Sequence, residues 1–81
     1  MESKYSLPTD SSKRLYYLLI YLDISADQFA ANIGFRYNSC VHDILNGINQ
    51  IDKGFAYIVN KTYPEVDKNW LLTGEGNMIT I

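Results

Sequence analysis

The stretch SADQFAANIGFRYNSCVHDIL, residues 25–45, decides the fold. Apolar side chains recur there three and four residues apart, which is the spacing of helices with one buried face. Ser25 and Gln28 form the capping-box pattern that starts a helix. Gly34 predicts that this helix ends at Ile33, because glycine readily adopts the left-handed conformation of a C-cap. The stretch therefore predicts two short helices that meet across a glycine-led turn, the plan of a helix-turn-helix.

Two longer segments with the same periodicity flank the helix-turn-helix. The first helix is predicted over residues 13–22, with its N-cap at Ser11 or Ser12. The fourth helix is predicted to follow an N-cap at Asp52. It must end before Pro64, because the residue that precedes a proline is pushed out of the helical conformation. Together these segments predict an all-α fold.

A short fifth helix is predicted near the end of the chain. Asp67 is its expected N-cap and Gly74 its expected stop. Trp70 is expected to fill the core where this helix meets the first. The apolar residues 78–81 are partly β-branched, so they predict a short strand at most. They are also expected to contribute to a dimer contact.

Length and composition indicate one small domain. We assign residues 12–76 to the folded domain, 1–11 to an N-terminal arm and 77–81 to a C-terminal tail. No stretch approaches the roughly 18 consecutive apolar residues of a membrane span. The first residues lack the apolar core of a secretory signal. The lone Cys40 cannot form an internal disulfide, so a cytosolic location is expected.

The charge balance is slightly acidic, with seven Lys and Arg against nine Asp and Glu and a net charge of −2. A domain that binds DNA through contacts with the DNA phosphates usually carries a basic face. Binding depends on where the charges lie rather than on their sum. The balance therefore predicts weak non-specific DNA binding.

Residues 13–78 resemble the Xre family of Cro/cI-like helix-turn-helix transcriptional regulators. The resemblance runs through Ile24-Ser25, Phe29-Ala30, Ile33-Gly34, Ile44-Leu45-Asn46-Gly47 and the tail YPEVDKNWLLTGEG, residues 63–76. Its most specific part is WLLTGEG, residues 70–76. The chain departs from the family pattern at two places. One extra residue lies between Gly34 and Val41, and Ala26 stands where the family often has a phosphate-contacting glutamine.

The resemblance implies a five-helix, phage-repressor-like domain whose third helix enters the major groove of double-stranded DNA. It implies a transcriptional regulator, with repressor as the first expectation, that binds a two-fold operator as a homodimer. No cofactor, metal, small-molecule ligand or catalytic group is expected.

The expected DNA contacts are Arg36, Tyr37, Asn38, Ser39 and His42 at the entry and outer face of the third helix, Asn46 and Asn49 after it, and Lys53 on the fourth helix. Asn38 is suited to pair with adenine, and Arg36 with guanine or a phosphate. The extra residue in the turn leaves Ser39 and Arg36 as alternatives to Asn38 for this role. Lys53 is suited to a phosphate. The Asp43 carboxylate would either accept a hydrogen bond from cytosine or repel the phosphates of DNA.

Other classes of function fit less well. Ser39, His42 and Asp43 have the elements of a nucleophilic triad, but adjacent residues of a helix point about 100° apart. Cys40 and His42 are two residues apart and do not face each other as metal ligands would. We therefore expect no enzyme. The alternative is a protein-interaction module of the same fold, antitoxin-like or adaptor-like. The acidic charge balance favours this alternative. So do the tyrosines, which are more than one small core can bury, namely Tyr16, Tyr17, Tyr21 and Tyr57.

Overall fold

A computed structural model describes residues 5–80, and at Phe35 the backbone only. It contains five α-helices and one turn of 3₁₀-helix. They are α1 (Asp10–Leu22), α2 (Ala26–Ile33), the 3₁₀ turn (Phe35–Tyr37), α3 (Asn38–Leu45), α4 (Lys53–Thr62) and α5 (Lys68–Thr73). Within the described residues the only β pairing is an isolated antiparallel bridge between Val66 and Ile79. The predicted five-helix, all-α class is confirmed.

The first helix starts earlier than predicted, and neither Ser11 nor Ser12 is its N-cap. Thr9 is the cap: its hydroxyl accepts from the Ser12 backbone N–H at 3.1 Å. The Ser12 hydroxyl accepts in turn from the Thr9 N–H at 2.9 Å, which completes a capping box. Ser11 is buried, and its hydroxyl accepts from the Ile51 N–H at 3.2 Å. The two serines thus serve the first turn and a tertiary contact.

The other predicted N-caps are confirmed. Each side chain accepts from the backbone N–H three residues later: Ser25 from Gln28 at 3.0 Å, Asp52 from Phe55 at 2.8 Å, and Asp67 from Trp70 at 2.9 Å. These bonds satisfy N–H groups that the first turn of a helix leaves unpaired. The Gln28 side chain does not complete a capping box with Ser25. It donates to the Asn32 side chain at 2.8 Å instead.

One hydrophobic core joins the five helices and the segments between them. Its fully buried members come from every helix and from the segment before α5, namely Leu15, Leu18, Phe29, Ala30, Val41, Ile44, Leu45, Val59, Val66 and Leu71. When all buried residues are counted, they recur three and four residues apart in α1, α2, α3 and α4, as the sequence predicts, whereas α5 contributes Leu71 alone. The core fixes the rotation of α2 and α3 about their axes, and so determines which side chains they present outward.

Trp70 does not occupy the place predicted for it. It is half-buried at the edge of the core, and its neighbour Leu71 is the fully buried residue of α5. The fifth helix does meet the first, but Arg14 helps to join them. Its guanidinium donates to the carbonyl oxygens of Leu71 and Leu72 at 3.0 and 3.2 Å. These carbonyls lie in the last turn of α5, where helix carbonyls lack partners.

The C-terminal tail finds its partner within the chain. The Asp67 N–H donates to the Met78 carbonyl at 2.9 Å, and the Thr80 N–H donates to the Glu65 carbonyl at 2.8 Å. Met78 and Ile79 are half-buried against the core. The predicted strand is thus one bridge in the described part, and Ile81 lies outside the described residues.

The predicted N-terminal arm is described only from Tyr5 onward, where Tyr5 and Leu7 pack partly against the core. None of the helices in residues 5–80 has the length and apolar character needed to cross a membrane.

Candidate nucleic-acid interface

The turn between α2 and α3 absorbs the extra residue noted in the sequence as a turn of 3₁₀-helix. Gly34 ends α2, and its N–H donates to the Ala30 carbonyl at 2.8 Å. The Tyr37 N–H then donates to the Gly34 carbonyl at 2.9 Å and closes the turn. Gly34 has φ 134° and ψ 128°, so its conformation is not the predicted left-handed C-cap, although its positive φ still favours glycine. A Cβ there would lie 3.3 Å from the Tyr37 ring.

The core contacts of α3 leave a polar face on the outside. Val41, Ile44 and Leu45 are fully buried and anchor the helix. Among the predicted contact residues, Asn38 and Ser39 are exposed and His42 is half-buried. The helix therefore presents amide, hydroxyl and imidazole groups outward, as the sequence predicts for a helix that reads base edges.

A carboxylate on α2 organises this face. Asp27 Oδ1 accepts from Asn38 Nδ2 at 3.1 Å and lies 2.8 Å from His42 Nε2. The other ring nitrogen, His42 Nδ1, lies 3.1 Å from the Tyr5 hydroxyl. One network thus joins the N-terminal arm, α2 and α3. We call these four residues, Tyr5, Asp27, Asn38 and His42, the Asp27 network.

The Asp27 network leaves Asn38 able to read a base but engages both nitrogens of His42. An asparagine amide has two N–H donors and one acceptor oxygen. The bond to Asp27 uses one donor, so Asn38 retains the donor and acceptor that a bidentate contact with adenine requires. A new hydrogen bond from the His42 ring would require it to give up one of these two contacts. Asp27 is not predicted as a site residue from the sequence, because its spacing to Asn38 across the turn follows no helical period.

Arg36 is held against its neighbour Tyr37. Its Nη2 donates to the Tyr37 hydroxyl at 3.3 Å, and its guanidinium carbon lies 5.3 Å from the centre of that ring. The hydrogen bond to Tyr37 raises the pKa of the Arg36 guanidinium, a group that is positively charged at physiological pH in any case. Arg36 is exposed at the entry to α3 and brings a cation to that end of the face.

The remaining predicted contact residues lie beyond α3. Asn46 and Asn49 are exposed after it, and Asn49 Nδ2 donates to Asp43 Oδ2 at 3.3 Å. That bond occupies part of the Asp43 carboxylate. Lys53 is exposed in the first turn of α4, where it borders a groove against α5. The structure thus brings Asn38 and His42 together and places Lys53 on a different element.

The electrostatics around α3 are mixed rather than basic. Arg36 contributes a positive charge, while Asp27 contacts the face and Asp43 belongs to α3 itself. Cys40, half-buried on the same helix, has a raised pKa. The cause is first its burial and then the negative charges of Asp52 and Asp43. Uncharged hydrogen-bonding groups, rather than a basic patch, therefore dominate this surface.

The fold and site define a small five-helix domain with a polar, outward-facing third helix anchored by the core. Comparisons of the chain with models of known protein families, with curated proteins and with solved structures found no match.

Proposed function

We propose that this chain is a sequence-specific, double-stranded DNA-binding domain of the Cro/cI-like class, and that it acts in the cytosol as a transcriptional repressor without catalysing a reaction. The observation that carries the proposal is the arrangement of α2 and α3. Two eight-residue helices meet across a short turn, and the second is anchored by fully buried side chains while its outer face is polar. A helix of this kind fits the major groove of DNA.

The geometry supports the following proposed contacts. Asn38, oriented by Asp27, reads a base edge, and the exposed Ser39 next to it supplies a second short polar group. Arg36 approaches a guanine or a phosphate at the entry of α3. Asn46, Asn49 and Lys53 position the backbone of the duplex. Since few cations surround α3, specificity rests on hydrogen bonds to base edges, and binding to random DNA is weak.

A homodimer on a two-fold operator is part of this proposal. A single short helix reads few base pairs, and two half-sites one helical turn apart are the usual solution for helix-turn-helix proteins. The tail contacts residues 65–67 of its own chain. We propose α1 as the dimer surface, since its exposed residues include Tyr17, Ile20 and Tyr21.

One set of observations favours a second candidate, a protein-interaction module that does not bind DNA. The carboxylates of Asp27 and Asp43 stand at the α3 face, where they repel phosphates. Tyr17, Ile20 and Tyr21 are each about half exposed on α1, which is typical of a protein contact.

Selection from a random library of double-stranded DNA separates the two candidates. The intact protein is expected to enrich one sequence family, with two-fold symmetry if the dimer forms. The variant Asn38→Ala should lose or change the enriched bases, whereas Asn77→Ala, in the exposed tail, should enrich the same family. No enrichment by the intact protein would exclude the DNA-binding proposal and leave the interaction module in its place.

A further inference from the structure

A groove of about 490 Å³ lies between α4 and α5, and the DNA-binding proposal does not use it as a site. Its walls are Lys53, Ala56 and Tyr57 from α4, with Lys68, Asn69 and Leu72 from α5. Ala56 is buried and Leu72 half-buried, so these two side chains form an apolar floor. The other four are exposed and form the rim. We call this feature the α4–α5 groove.

The charge of the α4–α5 groove is opposite to that of the chain. Among the described residues, both charged side chains that line it are lysines and no carboxylate lines it, although the chain as a whole carries a net charge of −2. The Lys68 ammonium lies 5.9 Å from the centre of the Tyr57 ring, a distance at which a cation is attracted to the ring face. Two cations and an aromatic ring thus surround an apolar floor.

We infer that the α4–α5 groove binds an acidic peptide segment of a protein partner, with one large apolar side chain of that segment on the floor. The volume lies in the range of about 300–1,000 Å³ that is typical of ligand sites. Carboxylates on either side of the apolar residue would pair with Lys53 and Lys68. Charge complementarity of this kind mainly sets which partner is accepted and how fast it associates.

A nucleic acid backbone matches the same groove less well. Phosphates would pair with the lysines, but they carry no apolar group to cover Ala56 and Leu72. Affinity for a nucleic acid also grows with the number of cations that neutralise phosphates, and only two line the groove. An acidic peptide satisfies the cations and the floor together.

The site has a regulatory consequence that rests on the proposed function. Lys53 is both a rim residue of the α4–α5 groove and the proposed phosphate contact of α4. An acidic segment bound in the α4–α5 groove would therefore engage Lys53 and weaken DNA binding. The bound segment would relieve repression without contacting α3.

The test measures fluorescence anisotropy of a labelled octapeptide, six glutamates around a central Leu-Phe pair, with the whole protein and no DNA present. Saturable binding is expected. Lys53→Glu and Lys68→Glu should each weaken it at least tenfold. Lys61→Glu, the same charge change at an exposed α4 position outside the groove, should weaken it less than threefold. A peptide with a Ser-Ser centre should also bind at least tenfold more weakly, because it leaves the floor uncovered.

The inference would be overturned by no binding up to 1 mM peptide, by equal binding of the Ser-Ser peptide, or by an equal loss in Lys61→Glu. A single-stranded oligothymidine is the competitor for the Leu-Phe peptide, and its own binding is followed with a label. If it displaces the peptide, and if its own binding requires Lys53 and Lys68, the groove is a nucleic-acid site instead. The peptide assay contains no duplex DNA, so a failure of the library selection would not change the result of the peptide assay. Failure of the peptide assay likewise leaves the α3 proposal intact.

Discussion

Asp27 connects the structure of the α3 face to its expected selectivity. Its carboxylate orients Asn38 and engages His42, yet it also places a negative charge where a phosphate backbone would approach. If α3 reads DNA as proposed, Asp27 orients a reading side chain and at the same time reduces the general attraction to DNA.

Replacing this charge should strengthen binding to random DNA. Asp27→Asn removes one negative charge and keeps an oxygen that can accept from Asn38. Two charges about 8 Å apart in water interact by about 0.5 kcal/mol, so random duplex should bind roughly two- to threefold more tightly. Asp23→Asn, the same charge change at the left-handed C-cap of α1, is the control, since asparagine tolerates that conformation. Tighter binding in both variants alike, measured by anisotropy at low salt, would show that the position of Asp27 is irrelevant.

Cys40 gives a second prediction for a single residue. Burial and the charges of Asp52 and Asp43 raise the pKa of its thiol, and only the thiolate reacts with alkylating reagents. Reaction with iodoacetamide should therefore be slower than for a free cysteine near neutral pH. It should accelerate only as pH rises beyond the usual thiol range. Asp43→Asn should speed it modestly, because burial is the larger cause, and urea should restore the rate of a free thiol. A native rate equal to the unfolded rate at pH 7.5 would contradict this account.

The fifth helix offers a test of the packing. Leu71 is fully buried, whereas Trp70 is half-buried at the edge. Leu71→Ala should lower the free energy of unfolding by about 2–5 kcal/mol, through lost burial and the cavity left behind. Trp70→Ala should cost less, because part of its surface already meets water. Urea denaturation of both variants gives the comparison. A larger loss for Trp70→Ala would mean that the tryptophan, not the leucine, anchors α5.

The elements also show how far the sequence determines the structure. Five helices, the caps at Ser25, Asp52 and Asp67, and the burial of Val41, Ile44 and Leu45 follow from periodicity and cap chemistry. These are local properties, and local patterns predict them well. The α1 cap was misplaced because three neighbouring residues, Thr9, Ser11 and Ser12, all carry hydroxyls, and tertiary contacts decide among them.

What the sequence could not supply depends on distant residues. Asp27 meets Asn38 only because the 3₁₀ turn brings α2 and α3 together at one register. Trp70 and Leu71 are both apolar, and only the docking of α5 on the core decides which is inside. The α4–α5 groove likewise combines two helices that share no sequence pattern.

For the whole molecule, the exposed tyrosines bear on the proposed dimer. Tyr17, Ile20 and Tyr21 are 54%, 52% and 50% exposed along one face of α1. Half of a large side chain is roughly 100 Å², so the face offers roughly 300 Å² per copy. A stable interface needs roughly 800 Å² per partner. We expect a dimer too weak to form alone, which the two half-sites of an operator stabilise.

Sedimentation of the free protein should accordingly give a monomer at micromolar concentration, while the operator complex contains two copies. The double variant Tyr17→Ser and Tyr21→Ser should bind the full operator less cooperatively and a single half-site normally. Tyr57→Ser, at a residue of similar exposure on α4, should keep the cooperativity. Undiminished cooperativity in the α1 variant would remove α1 from the dimer.

If α3 reads DNA sequence, as proposed, the loss of a reading side chain must weaken binding to the operator more than binding to other DNA. The decisive experiment compares Asn38→Ala with the unaltered protein on the selected operator and on a random duplex at one salt concentration. The geometry at Asp27 leaves Asn38 one donor and one acceptor for a base. The variant should therefore lose about 1–3 kcal/mol on the operator and little on the random duplex. Lys53→Ala, as the positioning control, should weaken both about equally. An Asn38→Ala variant that binds both duplexes as the unaltered protein does, or loses the same affinity on each, would contradict the account.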